Sequence, residues 1–194
     1  MSFLSQFSVT PKEIRLFKLW DAYAWHKVIW DLFPGREKKD RDFLFRVDMF
    51  HTQARLLLLS PRPPRLPEWG EGRTKKVSEA FFLYERYRFQ IKANPTRRVK
   101  DSRKRIGVRT GADLRAWLER KSKAAGFAVA ENHLAIKPPM DAYFTRKGKK
   151  GKHVSVDFSG ILRVTEHHLF KNAFHAGIGS AKAFGYGMLM LQPT

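Results

Sequence analysis

The chain has 194 residues, with 38 Lys and Arg against 18 Asp and Glu, so its formal net charge is +20. Hydrophobic residues make up 43% of the sequence, enough for a packed core, which excludes a wholly disordered chain. The absence of cysteine excludes disulfide bonds, a thiol nucleophile and cysteine-ligated metal sites. Such a positive charge favours a polyanionic partner, with nucleic acid ahead of an anionic membrane surface.

The N-terminal half alternates predicted strands with one clear helix. Apolar residues at helical spacing predict an amphipathic helix over 16–33, which Pro34 and Gly35 end. Alternating apolar residues and a run of leucines predict strands over 2–9, 43–50, 55–60 and 81–93. A proline-rich connector and a short helix near 75–80 are expected before the last of these strands.

The C-terminal half repeats this order of elements. Helices are predicted over 112–125 and 166–176, and strands over 127–136, 140–146, 153–164 and 186–191. Sequential β-α-β-β-α-β elements are typical of the ferredoxin-like arrangement. The sequence therefore predicts an α+β fold of two tandem ferredoxin-like (RRM-like) domains, over residues 1–94 and 95–194.

No segment resembles a targeting signal or a membrane span. The N-terminus has no basic leader, and no run approaches the roughly 18 apolar residues that cross a bilayer. The helix over 112–125 is basic, but a small domain needs its Trp117 and Leu118 face for its core, which disfavours a membrane-surface role. We expect a cytoplasmic protein.

Tyr23 and His26 form the first candidate for catalysis. Three residues apart on a predicted helix, they share one side of it, beside the Trp25 and Ile29 stripe. An imidazole transfers protons near neutrality, and RNA cleavage by the ribose 2′-hydroxyl needs only proton transfer and alignment. The spacing is equally typical of two ordinary, partly buried helix residues.

The glycine-rich segment over 177–187 is a candidate phosphate-binding loop, with Gly177, Gly179, Gly185 and Gly187 around Lys182. Glycines allow backbone N–H groups to cradle a phosphate, to which a lysine adds charge. The order helix, loop, strand is the reverse of a Walker loop or a dinucleotide fingerprint. The alternative is a helix cap followed by a tight return.

Two clusters of basic residues fall in predicted loops, where phosphate contact is favoured over a merely solvated face. The candidate RNA-binding cations are Arg97, Arg98, Lys100, Arg103, Lys104 and Arg105 in the first cluster, and Lys149, Lys150 and Lys152 in the second. By contrast, His167, His168 and His175 lack the spacing of a metal site, so we expect neither a metal nor a cofactor.

Several segments resemble one known family. The block Tyr23 to Pro34, with its Tyr-x-x-His followed by Leu-Phe-Pro, and Arg41 to Val47 resemble the N-terminal signature of CasE, the CRISPR precursor-RNA endoribonuclease of subtype I-E. Ile91 to Pro95, Gly148 to Lys152 and the glycine-rich segment follow in the family's order. The glycine-rich end alone is shared with the broader RAMP class of CRISPR RNA-binding proteins.

The resemblance implies a tandem ferredoxin-like enzyme that binds the hairpin of a CRISPR repeat and cuts at the 3′ base of its stem without metal. It implies a 2′,3′-cyclic phosphate or 3′-phosphate and a 5′-hydroxyl as products. It also implies that the protein stays on the mature CRISPR RNA as a Cascade subunit. His26 would be the general acid or base, and Tyr23 its partner in positioning or activating the 2′-hydroxyl. A structured-RNA-binding module without catalysis is the rival interpretation.

Overall fold

The computed structural model describes residues 1–35, 41–99, 105–146 and 148–194. The chain divides into two compact units, each of which draws on several segments. The first unit comprises Met1–Val77, Phe144–Gly151 and Ala183–Gly185, and the second comprises Ser78–Tyr143, Lys152–Lys182 and Tyr186–Thr194. No helix in the described part of the chain is long and apolar enough to cross a membrane.

The first unit is built on an antiparallel sheet with the strand order β2-β3-β1-β4. Its helices and strands are β1 (Phe3–Val9), α1 (Pro11–Leu16), α2 (Ala22–Trp30), β2 (Leu44–Met49), β3 (Ala54–Ser60) and β4 (Glu71–Lys76). This strand order is that of a ferredoxin-like fold. No helix joins β3 to β4 in the described connector 61–70, because its prolines remove the backbone donors that a helix needs.

The core of the first unit lies between the sheet and α2. Phe7 and Val9 from β1 and Leu56 and Leu58 from β3 are fully buried, and Ile29 of α2 is buried with them. Strand residues that share one face alternate with outward-facing ones, so one side of the sheet is apolar. The buried stripe of α2 is therefore what fixes this helix to the sheet.

The second unit has the corresponding strand order, β10-β11-β5-β12. Its helices and strands, some continuing into the first unit, are β5 (Arg86–Ala93), β6 (Thr96–Arg98), β7 (Arg105–Gly107), α3 (Gly111–Ala124), β8 (Phe127–Val129), β9 (Ala135–Ile136), β10 (Met140–Arg146), β11 (Lys149–Val164), α4 (His167–Ala176) and β12 (Leu189–Pro193). The short strands β8 and β9 also pair with β11, and β6 pairs with β7 in a separate hairpin.

The division into units differs from the predicted boundary after residue 94. Strand β5 is the first strand of the second unit, because it pairs with β11 and β12, which lie far later in the chain. The fourth strand of the first unit is instead β4, whose Lys76 pairs with Phe3. Short 3-10 helices occur at Glu79–Phe82, Glu131–His133 and Lys182–Phe184, the first of them close to the helix predicted near 75–80.

Candidate active site and nucleic-acid interface

Helix α2 presents Tyr23 and His26 beside its buried stripe. Asp21 caps the helix, because the Ala24 N–H donates to its Oδ1 at 2.8 Å. Trp25 and Ile29 face the core, whereas Tyr23 and His26 are only partly buried. The rings of Tyr23 and His26 stack with their centroids 6.5 Å apart and their planes 25° apart. We call this pair the Tyr/His site.

Aromatic rings surround the imidazole of His26. Its ring centroid lies 5.8 Å from that of Trp30, 5.9 Å from that of Phe43 and 6.4 Å from that of Phe45. Trp30 lies on the same helix, and Phe45 lies on β2. Packing on several sides restricts the orientations of the imidazole and leaves only part of its surface to water. A proton-transfer group held in one orientation loses little entropy when it acts.

Two cations that the sequence interpretation missed lie close to these aromatic rings. The Lys27 Nζ lies 5.6 Å from the centroid of the Tyr23 ring, and the Arg41 guanidinium carbon lies 5.7 Å from that of Phe43. Burial lowers the pKa of Arg41, but a guanidinium stays charged at neutral pH. Lys27 follows Tyr23 by four residues, a spacing that places both on one helix face and was available as a signal.

A basic groove lies within the second unit and has a volume of about 510 Å³. We define it by its five cations, namely Arg97, Arg98, Arg105, Arg120 and Lys121. Thr96, Trp117, Gly179 and Ser180 complete the described lining, in which no residue is acidic. Cations that converge in this way suit a phosphate backbone.

The structure brings three of the predicted RNA-binding cations together in this groove. Arg97 and Arg98 lie on β6, and Arg98 pairs with Arg105 of β7 across the hairpin. The predicted residues Lys100, Arg103 and Lys104 lie outside the described part of the chain.

Helix α3 supplies two groove cations that the sequence interpretation missed. Arg120 and Lys121 follow Trp117 by three and four residues, the spacing that places them on the same face of α3. Trp117 is buried and stacks on Phe158, with the ring centroids 5.7 Å apart and the planes 18° apart. The core of the unit therefore supports the base of the groove.

The glycine-rich segment has several separate structural roles. Gly177 follows α4 with φ of 74°, as a helix-capping glycine does, and Gly179 lines the groove against the Trp117 ring. Gly187 has φ of 84°, and a Cβ there would lie 2.5 Å from the Ile178 carbonyl oxygen. The Ile178 N–H donates to the Gly187 carbonyl at 2.8 Å and closes the loop.

Gly185 belongs to the first unit, where its backbone approaches the Tyr/His site. A Cβ on Gly185 would lie 3.1 Å from Cε2 of Phe45, one of the rings around His26. Lys182, the predicted phosphate-binding lysine of this segment, is partly buried at the start of the short 3-10 helix and is counted with the second unit. The described groove lining includes Gly179 and Ser180 but not Lys182.

A partly buried polar cluster holds Ser180 at the groove wall. The Asn94 Nδ2 contacts the Ser180 Oγ at 3.4 Å and the His153 Nδ1 at 3.3 Å, and the Ser180 hydroxyl donates to the Asn94 carbonyl at 3.0 Å. Burial lowers the pKa of His153, which favours the neutral imidazole. Hydrogen bonds in a buried site are strong, so the cluster fixes the loop to the end of β5.

The lysines of the second basic cluster lie at the start of β11 in different surroundings. Lys149 and Lys150 are exposed at the tip of the β10–β11 hairpin, and this tip belongs to the first unit. The Lys152 Nζ instead donates to Asp141 Oδ2 at 3.0 Å, and Arg109 pairs with the other oxygen of this carboxylate. Hydrogen bonds from Lys152 and Arg109 lower the pKa of Asp141, which stays ionised and offsets part of their charge.

Two of the histidines considered as metal ligands, His167 and His175, contact backbone carbonyls, and the third, His168, lies against the Asn172 amide. His167 Nδ1 lies 3.0 Å from the Phe82 oxygen, and His175 Nδ1 lies 2.8 Å from the Lys171 oxygen. In the described ranges, no group of three or more His, Cys, Asp or Glu residues is arranged to hold a metal ion.

Comparison with known proteins places the chain in one family. A family model described as CRISPR associated protein matches residues 2–193. The CRISPR system Cascade subunit CasE of Escherichia coli K12 is 32% identical over 187 residues, which cover 89% of this chain and 92% of that protein. This chain belongs to the CasE family. The family resemblance predicted from the sequence is confirmed.

Solved structures of CasE relatives have the same fold. A CRISPR endoribonuclease Cse3 bound to a 19-nucleotide RNA has a TM-score of 0.87 and 25% identity, over 98% of this chain and all of that chain. The CRISPR-associated protein Cas6e of Escherichia coli K-12 has a TM-score of 0.77 and 27% identity, over 99% of this chain and all of that chain. The predicted α+β fold with tandem ferredoxin-like units is confirmed.

Proposed function

We propose that this CasE-family protein is an endoribonuclease that binds the hairpin of a CRISPR repeat and cuts the precursor RNA at the 3′ base of the stem. The observation that carries the proposal is the Tyr/His site, where a partly buried imidazole and a phenol stack on one helix face among aromatic rings. The names of its relatives, a Cascade subunit and an RNA-bound endoribonuclease, support the same activity.

The proposed reaction is an attack by the ribose 2′-hydroxyl on the adjacent phosphorus. The O2′–P bond forms as the P–O5′ bond breaks, which gives a 2′,3′-cyclic phosphate and a 5′-hydroxyl. One group accepts the proton of the 2′-hydroxyl and one supplies a proton to the departing O5′. His26 and Tyr23 are the proposed proton-transfer and positioning groups.

The reaction requires alignment and proton transfer, which the residues of this chain can supply. The nucleophile is part of the substrate, so no second substrate or water has to be brought to the phosphorus. Negative charge develops on the phosphoryl oxygens during the attack, and cations close to the Tyr/His site, such as Lys27 and Arg41, would stabilise it. We propose that the enzyme requires neither a metal nor a cofactor.

We propose that the basic groove binds the sugar–phosphate backbone of the hairpin. Double-stranded RNA has a deep, narrow major groove, so proteins recognise it largely through shape and backbone contacts. Lys149 and Lys150, which are exposed at the tip of the β10–β11 hairpin of the protein, are proposed to contact phosphates of the RNA. The protein is then expected to stay on the mature CRISPR RNA as a cytoplasmic Cascade subunit of a prokaryote.

The test is cleavage of a labelled subtype I-E repeat hairpin by purified protein in excess EDTA. The matched substrate carries 2′-deoxyribose immediately 5′ of the scissile phosphate, which removes the nucleophile and leaves the rest of the hairpin unchanged. We expect the first RNA to be cut and the second to be bound but spared. Cleavage of the deoxy substrate, or a requirement for metal, would contradict the proposed mechanism.

The second candidate function is a structured-RNA-binding module without catalysis. The basic groove favours it, since binding needs these cations and no imidazole. Tight, salt-dependent binding of several cognate repeat hairpins without strand scission would support this alternative.

A further inference from the structure

We infer that Asp21 is a positioning residue that holds the start of helix α2 against the β10–β11 hairpin, and so sets the place of the Tyr/His site. Its two carboxylate oxygens have separate partners. The Ala24 N–H donates to Oδ1 at 2.8 Å, and the Thr145 N–H donates to Oδ2 at 2.9 Å. One side chain thus joins segments that are 124 residues apart in sequence. The inference rests on the proposed function.

Only a carboxylate at this position serves both donors. Asn and Ser cap helices about as well as Asp, because one side-chain oxygen is enough to accept a hydrogen bond from the first turn. A second backbone N–H needs a second acceptor, which the amide of Asn and the single hydroxyl of Ser do not offer in the same geometry. The cap alone therefore does not explain why an aspartate is useful here.

The Thr145 N–H is suited to a partner outside the sheet. Strand β10 stands at one end of the strand order, and an edge strand leaves N–H groups without a neighbouring strand. Thr145 is exposed, so its amide would otherwise bond to water. The Asp21 carboxylate accepts this hydrogen bond in place of water. Because the acceptor is charged, the bond is stronger than one between neutral groups.

Further contacts within the first unit link the same hairpin to the surroundings of His26. The rings of Phe144 and Phe184 lie 4.4 Å apart, and Gly185 follows Phe184 with its backbone against Phe45. The Phe45 ring in turn lies 6.4 Å from that of His26. The hairpin thus contacts the helix at its start, through Asp21, and is linked to the imidazole through Phe184, the Gly185 backbone and Phe45.

This arrangement links RNA contact at the hairpin to the geometry of the Tyr/His site. The tip next to Thr145 carries the exposed Lys149 and Lys150, the proposed phosphate contacts. Helix α2 has nine residues, so a shift at its start is transmitted to both catalytic candidates. A displacement of about 1 Å in a reacting group can lower a rate about 100-fold.

The test compares Asp21→Asn, which keeps the cap and loses the second acceptor, with the wild-type protein. Thr145→Pro removes the donor at an edge position that tolerates proline, and the double variant completes a cycle. Asp31→Asn is the charge-matched control at the opposite, exposed end of α2. Single-turnover cleavage at saturating protein, hairpin Kd and Tm are measured for each variant, and amide exchange of Thr145 is measured for wild type, Asp21→Asn and Asp31→Asn, which keep its N–H.

We expect Asp21→Asn to lower the single-turnover rate about 10-fold, with Kd within about twofold and Tm nearly unchanged. Thr145 should exchange faster in this variant, and the double variant should be no slower than the slower single variant. Asp31→Asn should behave as wild type.

An unchanged rate in Asp21→Asn would overturn the inference, as would an equal loss of affinity or a fall in Tm that accounts for the lost activity. Unchanged exchange at Thr145 would show that the bridge itself is absent. If the wild-type protein does not cut the hairpin, the proposed function fails, and the exchange measurement still decides whether Asp21 holds the hairpin.

Discussion

The Tyr/His site of the first unit and the basic groove of the second hold different kinds of side chain. The site places one imidazole and one phenol among aromatic rings, whereas the groove gathers five permanent cations around a buried tryptophan. Proton transfer needs a group that changes charge near neutrality, but backbone recognition needs groups that keep their charge. Under the proposed function, rate and affinity therefore depend on separate residues, and variants should separate the two.

The largest expected effect is on the rate. His26→Ala should lower single-turnover cleavage by about 100-fold to 10,000-fold, the range typical of a lost general acid or base. Hairpin Kd should change little, because an imidazole that moves protons adds little ground-state binding. His51→Ala, at an exposed position of the same unit, is the matched control. Equal losses of rate and affinity would contradict the separation of catalysis from RNA binding.

The groove depends on the closure of the glycine-rich segment that carries Gly179 and Ser180. Gly187→Ala should lower the free energy of unfolding by about 2–4 kcal/mol, because the new Cβ meets the Ile178 carbonyl and φ is positive. Gly148→Ala shares the positive φ but has no atom within 4 Å, so it should cost about 1 kcal/mol. Urea unfolding measures both, and equal costs would contradict the close contact.

Affinity should respond to the groove. The double variant Arg120→Ala and Lys121→Ala should weaken hairpin binding about 10- to 100-fold at physiological salt and reduce the slope of log K against log salt by about 2. The rate of the bound complex should not change. Arg115→Ala with Lys123→Ala removes the same charge from the same helix, outside the groove lining. Similar losses in both double variants would indicate a general effect of charge.

Tyr23→Phe tests the hydroxyl alone. The ring and its stacking on His26 are retained, so any loss reports proton transfer or positioning by the phenol. We expect single-turnover cleavage to fall about 10-fold, less than for His26→Ala, with unchanged Kd. A rate equal to that of wild type would leave His26 as the sole proton-transfer candidate of the pair.

The smallest effect concerns the cluster that holds Ser180. Burial lowers the pKa of His153, so the unfolded state binds more protons than the folded state at mildly acidic pH. The free energy of unfolding should therefore rise with pH over the mildly acidic range. It should fall as the pH drops below about 6.5, the ordinary pKa of histidine. Thermal melts between about pH 5 and pH 8 should show a shallower decline for His153→Gln than for wild type. Identical slopes of Tm against pH in the two proteins would contradict a lowered pKa of His153.

Patterns that depend on local sequence predicted much of the fold and of the candidate site. The helix with Tyr23 and His26 and the long strand that ends at Val164 were predicted from their apolar residues. These recur at helical spacing in the first and at every second position in the other. A short helix was predicted near 75–80, but strand β4 extends to Lys76. Pairing with β1 outweighs the local preference of this charged segment for helix. The groove cations Arg120 and Lys121 were missed because they lie on a predicted helix, whereas the basic clusters were assigned in predicted loops.

By itself, the sequence determined the Tyr23 and His26 pair, the clustering of Arg97, Arg98 and Arg105, and the family to which the chain belongs. The i, i+3 spacing places Tyr23 and His26 on one side of a helix in any fold, because the helical repeat alone decides it. The tertiary structure alone decided which strands share a sheet, which cations meet in a groove, and that Asp21 bonds to Thr145. These contacts join residues far apart in the chain, so only the packing of the whole core brings them together.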